Sequence, residues 1–192
     1  MKKLLILLLM LVLNIGNAYC EQTVQNDISK TIAEIGYQNS DKGFASAIAL
    51  GDINAVNKFL EAGFNPNMKI RKLPASFYAV FNEKTDVLNL LLSRGANPDA
   101  TWGKVSLLTA SVELNNNDLV KVLVKNKADI NKTAFKVTPL NYAILRKHEA
   151  IVSTLLDAGA IADKKSLRYS KKLKNETLEK NIKIIYEKNK KQ

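Results

Sequence analysis

Few side chains in this sequence are equipped for proton transfer, nucleophilic attack or metal binding. His148 is the only histidine and Cys20 the only cysteine in 192 residues. With that supply, histidine-based metal clusters and Cys-His nucleophile pairs cannot be assembled within one chain. A Ser-His-Asp triad would have to take His148 as its base. Carboxylate pairs can do acid-base work alone, but Asp86, Glu113, Asp118 and Glu149 are scattered over solvent-facing phases of the pattern described below and read as solvated surface. No Gly-rich phosphate loop occurs, because the glycines recur at a fixed period at helix ends. The sequons Asn131-Lys132-Thr133 and Asn175-Glu176-Thr177 are of the kind that chance supplies in an Asn-rich chain. No catalytic residue, no metal site and no cofactor is expected, and the role expected of the chain is binding.

What positions these residues is a repeat. Positions 32 apart match from residue 42 to residue 163 without insertion, which makes four units. Ala47, Ala79, Ser111 and Ala143 share one phase, Val56, Leu88, Val120 and Val152 a second, and Phe59, Leu91, Leu123 and Leu155 a third. Each unit reads as two short helices. Thr138 can cap a first helix, with Pro139 in the first turn where a missing N–H costs nothing. Ile151, Val152, Leu155 and Leu156 then give helical spacing for a second helix with one apolar face. Gly63, Gly95 and Gly159 end the second helices, where the chain needs positive φ. Lys127 stands at that place in the third unit, at an expected cost on the order of 1 kcal/mol.

These residues resemble the ankyrin repeat. Thr138-Pro139-Leu140-Asn141-Tyr142-Ala143 is similar to the family's T-P-L-H-x-A, Leu155-Leu156-Asp157-Ala158-Gly159-Ala160 to its L-L-x-x-G-A, and His148 falls at the histidine of its G-H pair. The second element recurs in Leu90 to Asp99 and in Phe59 to Asn67. The period is one residue shorter than the family's usual 33, the loss falling where the family has its hairpin fingers, and Pro74 stands where a cap hydroxyl belongs.

The resemblance implies an all-α solenoid of four helix-turn-helix units, a structural and not a catalytic His148, and a partner that is another protein. It also implies where that partner sits: on the finger tips and the outward positions of the first helices, which together form a concave face. By register the tips are Ile70 with Arg71, Trp102 with Gly103, and Ala134 with Phe135. The helix positions are Phe81 with Asn82, Glu113 with Leu114, and Leu145 with Arg146. Phe81, Leu114, Leu145, Trp102 and Phe135 would form an apolar row of the kind that marks an interaction site, with Lys72, Lys104 and Lys136 as a ladder of charge beside the tips. Alternatively, the shortened fingers fold inward and bury Trp102 and Phe135.

A stack of such units needs closing ends. Ile28, Ile32 and Ile35 have the spacing of an N-terminal capping helix, and Leu178, Ile182 and Ile185 repeat it at the other end. The expected organisation is a signal peptide over 1–20, a capping helix over 21–41, repeats over 42–73, 74–105, 106–137 and 138–163, and a basic capping helix and tail over 164–192.

Lys2 and Lys3, the apolar run Leu4 to Leu13, and the small residues Gly16 and Ala18 read as a secretory signal. Its run is too short to span a bilayer, which needs about 20 apolar residues. Cleavage after Ala18 or after Cys20 fits, and lipidation of Cys20 is a third reading that Tyr19 disfavours. A lone cysteine makes no intramolecular disulfide. The expected location is the periplasm or the exterior of a bacterial cell. The net charge of +11 is concentrated in the last 29 residues, where eleven Lys and Arg face only Glu176, Glu179 and Glu187. The repeats themselves are near neutral, so nucleic acid is not an expected partner, a monomer is expected, and contact with an anionic surface, if any, belongs to the tail.

Overall fold

Second helices begin at Ile53, Thr85, Asn117 and Glu149, one 32-residue period apart. The computed structural model describes residues 29–190. The leader, its cleavage sites, Cys20 and Ile28 lie outside the described residues. The four units are α1 (Asp41–Leu50) with α2 (Ile53–Glu61), α3 (Ala75–Phe81) with α4 (Thr85–Ser93), α5 (Leu107–Glu113) with α6 (Asn117–Lys125), and α7 (Pro139–Arg146) with α8 (Glu149–Asp157). First helices pack on first helices and second helices on second helices along the chain.

Helices of seven to ten residues are marginal in isolation, so each depends on its caps and its neighbours. Ser40, Asp52, Ser106, Asn116 and Thr138 each accept a bond from the amide three residues on, and such a cap is worth about 1 kcal/mol. Pro74 makes no side-chain cap, but the amide of Ala75 still reaches the Met68 carbonyl at 2.9 Å. The backbone therefore closes the entry to α3 without a hydroxyl. Between layers the buried residues are those of the repeat phases: Val56, Leu88, Val120 and Val152, then Phe59, Leu91, Leu123 and Leu155.

All four second helices leave through a left-handed residue. Gly63, Gly95 and Gly159 have φ of 89°, 90° and 91°, and Lys127 takes the same turn at 63°. Just beyond, a ladder of backbone amides donating to Asn and Asp side-chain oxygens runs along the stack. Asn67 Oδ1 accepts from the Asn97 amide at 2.7 Å, Asp99 Oδ1 from the Asp129 amide at 2.9 Å, and Asn131 Oδ1 from the Ile161 amide at 2.9 Å. The Asn and Asp of each loop thus satisfy backbone donors of the next unit, which fixes the offset between units.

Fingers join the units. β1 (Lys69–Ile70) pairs with β2 (Leu73–Pro74), and β3 (Thr101–Trp102) with β4 (Val105–Ser106), both antiparallel. The third finger has one bridge, Ala134 to Val137.

The N-terminal end is closed by a helical segment over 29–34 carrying buried Ile32 and, just beyond it, half-buried Ile35. Beneath it Phe44, Phe59 and Phe64 form an aromatic cluster with centroids 5.0 to 5.4 Å apart. The C-terminal end differs from expectation. The sequence predicts one capping helix and a tail over 164–192, whereas the chain forms a fifth helix pair, α9 (Lys164–Ser170) and α10 (Glu176–Asn189). The pair packs on α7 and α8 respectively. Asp163 and Ser166 build a reciprocal capping box, Ser166 and Asp163 both bond Asn141 of α7, and Leu173, Leu178 and Ile182 are buried. This unit escapes the 32-residue register because no finger precedes it. No helix among the described residues is long and apolar enough to cross a membrane.

Candidate binding face of fingers and first helices

Hairpin geometry decides which residues stand at the finger tips. Ile70 pairs with Leu73, leaving Arg71 and Lys72 as a two-residue loop with φ of 50° and 70°. Positive φ at both loop positions is the type I′ turn, whose twist matches the flanking strands. The third finger repeats it with Phe135 at 52° and Lys136 at 63°, and the second turns through Gly103 and Lys104, between paired Trp102 and Val105. The tips are therefore Arg71–Lys72, Gly103–Lys104 and Phe135–Lys136. The lysines read from sequence as lying beside the tips are the tips themselves.

As a finger tip, Ile70 is accordingly a correction. It stands one place before the turn, 3% exposed, its carbonyl accepting from the Tyr78 hydroxyl at 3.0 Å. Its counterpart Ala134 is buried as well. Trp102, at the same phase, lies out on the surface with 51% of its area exposed. Its ring meets Phe81 edge-on at 5.9 Å, and Phe81 meets the buried Phe77 at 5.5 Å. An aromatic file thus leads from the core to the surface. Phe81 at 42%, Leu145 at 37% and Phe135 at 68% are also exposed, so the inward-folded alternative does not hold for Trp102 or Phe135. Leu114, the second correction, caps the end of α5 and is half-buried against the core.

Glu113 and Arg146 are exposed but already engaged with each other. The guanidinium bonds both carboxylate oxygens, at 2.5 and 2.8 Å, lies 5.3 Å over the Tyr142 ring, and the Tyr142 hydroxyl donates to Glu113. Burial first, then the bond to Glu113, raises the Tyr142 pKa, and the bond that Arg146 donates to the Tyr142 hydroxyl leads the causes raising its own. This clasp ties the third unit to the fourth. Tyr142 was missed from sequence; its place one helical turn before Arg146, on the same face as Glu113, was the available signal.

A groove of about 300 Å³ opens between the first finger and α1, floored by Ala45, Ala49, Ile70 and Tyr78, with Lys42 and Arg71 on its rim. The short side chains of α1 leave it open where Phe81 and Leu145 stand in later units. Other carboxylates do not converge. Asp118 pairs with Lys121 at 3.4 Å, Glu149 accepts from Asn175 at 2.7 Å, and Asp86 is exposed. His148 precedes α8 in the turn between paired helices, its pKa lowered by burial and then by Arg146.

The family model for ankyrin repeats, in three copies, matches residues 44–134 and again residues 76–166, one 32-residue period further on. The chain belongs to the ankyrin-repeat family. A comparison with curated proteins returns no match. Ankyrin repeats are in general protein–protein interaction modules, typically without catalytic activity. In this ankyrin-repeat protein, the fingers and the ends of the first helices leave Leu50, Phe81, Trp102, Phe135 and Leu145 exposed, while Ile53, Ile161 and Ile184 are exposed elsewhere among the described residues.

Proposed function

We propose that this ankyrin-repeat protein is a non-catalytic grip acting outside the cytoplasm, which holds an exported enzyme as an inhibitor, an immunity-type protector or a stabiliser. The observation that carries the reading is the set of exposed Phe81, Trp102, Phe135 and Leu145 on fingers and first-helix ends. Such side chains on a water-facing surface gain by being covered, and Trp is among the residue types most often dominant in binding. Export rests on the Lys2-Lys3 opening and the apolar run after it.

The test is Trp102→Ala. Its edge contact with Phe81 is worth about 0.5–1.5 kcal/mol at most, so the melting temperature changes little. A Trp buried by a partner loses 2 kcal/mol or more when truncated, about thirtyfold in affinity. If Trp102→Ala melts early while partner captured from the cell envelope binds as before, this face is not the working surface.

A second reading, a tether to membrane, cell-wall polymer or nucleic acid, is favoured by the fifth unit, whose Lys and Arg side chains make no ion pair among the described residues. Salt separates the two by degree: a tether releases fully as salt rises, whereas a grip with apolar contacts keeps part of its affinity at about 0.5 M.

A further inference from the structure

The charge on the binding face is one-sided. Along the fingers stand Lys69, Arg71, Lys72, Lys104 and Lys136, and no finger strand or tip holds an acid. In α1, α3, α5 and α7 the acids are Asp41 and Glu113 alone, and Glu113 is held by Arg146 and Tyr142. Lys72, Lys104 and Lys136 occupy the same turn position in successive fingers, all exposed, and none makes an ion pair among the described residues. Three like charges are thus held in a row at the apices, two of them on left-handed backbone that a lysine adopts only at a cost.

Their spacing selects a shape. Units built from packed helices repeat about every 10 Å. A left-handed extended chain with three residues per turn brings every third side chain to one side about 9 Å apart, whereas a β-strand repeats a face about every 7 Å. The groove over α1, with its apolar floor and cationic rim, is of a size for one side chain and not for a helix.

We propose that the partner docks an extended acidic segment along the fingers, with a carboxylate at every third residue set against Lys72, Lys104 and Lys136 and one apolar side chain seated in the groove between α1 and the first finger. This deepens the reading of the face as a protein grip and rests on it. Lys42 and Arg71 complete the positive rim at the anchored end.

The probes are labelled synthetic peptides of one composition, followed by fluorescence polarisation. They carry a terminal Phe, placed at either end, and three Glu spaced every third residue, every seventh, or contiguously. Controls replace Glu by Lys or Phe by Ala. The every-third peptide is expected to bind roughly tenfold tighter than the Lys control and to weaken as salt rises. It should lose that advantage on the Lys72→Asn, Lys104→Asn, Lys136→Asn triple variant, which keeps its fold because Asn accepts left-handed backbone; circular dichroism checks this. The inference is overturned if the contiguous or every-seventh peptide binds as well, if the Lys control or the triple variant is equivalent, or if no peptide binds. In any of those cases, loss of the native partner by Trp102→Ala would leave the face reading standing. If Trp102→Ala leaves native partner binding intact, both readings fall.

Discussion

Replacing Phe135-Lys136 by Asn-Gly sets the fold against the function at a single turn. Both residues sit at positive φ, 52° and 63°, where an L side chain other than Asn is strained by about 1–2 kcal/mol. Asn-Gly is the preferred pair for this turn, although glycine returns about 0.5–1 kcal/mol through the entropy of the unfolded chain. Phe135 is 68% exposed, so little buried contact is lost. The net expectation is a gain of about 1–2 kcal/mol, or roughly 3–6 °C in Tm for a domain of this size, read by thermal melts followed by circular dichroism. Partner affinity should fall in the same variant, by about tenfold if Phe135 lies in the contact. A lower Tm would show that Phe135 packs on its neighbours and that the strain argument is wrong. A higher Tm with unchanged affinity would remove Phe135 from the binding face.

Helix ends give a second contrast: Gly95→Val should destabilise by about 1–2 kcal/mol through backbone strain alone, since a side chain there meets nothing within 4 Å. Lys127→Gly should stabilise by up to about 1 kcal/mol, because Lys127 and not Asn126 carries the positive φ; thermal melts showing no loss for Gly95→Val would refute this register. Asp163 offers a pH test. Burial pushes its pKa up, but bonds from the Ser166 amide, Asn141, the Ser166 hydroxyl and the Lys165 amide outweigh it and leave the pKa below the ordinary value. A depressed carboxylate contributes stability that is full above its unfolded pKa and lost as pH falls through the folded one. Asp163→Ala should therefore cost about 1 kcal/mol at neutral pH, with the gap to wild type closing in acid; a gap independent of pH would mean that the charge is irrelevant to the cap.

The repeat phases were legible because packing enforces them: each layer needs an apolar side chain at Val56 and at its three successors. Lys127 was legible for the same reason, since a helix end must turn left-handed whatever residue stands there. The fifth helix pair was not, because register search relies on constant spacing and the loop from Gly159 to Asp163 omits the finger. Finger tips were misplaced by one residue because pairing, not periodicity, decides where a two-residue turn begins. Ile70 and Trp102 share a phase yet differ in burial, and that difference depends on three-dimensional neighbours: Tyr78 over the first finger, Phe81 beside the second. The Glu113–Tyr142–Arg146 clasp joins residues 29 and 33 apart, a separation that charge pattern alone does not single out.

Left-handed backbone is filled differently along the chain: of the residues past the first helices, Gly51, Glu83, Asn115 and Lys147, only one is glycine. At the ends of second helices three of four positions are glycine, the residue that accepts positive φ without strain. At the first and third finger tips none of four is, although Arg71, Lys72, Phe135 and Lys136 all take it. Open space surrounds the glycines at the second-helix ends. The tips project away from the stack, so strained side chains there are not retained for packing. Non-glycine residues take positive φ as well at Glu83, Asn115 and Lys147, just past the first helices, so the tips are set apart by their exposed basic and aromatic side chains and not by backbone strain alone. Exposure of Trp102 beside the tip of the remaining finger extends the same argument to a position where the turn itself is relieved by Gly103.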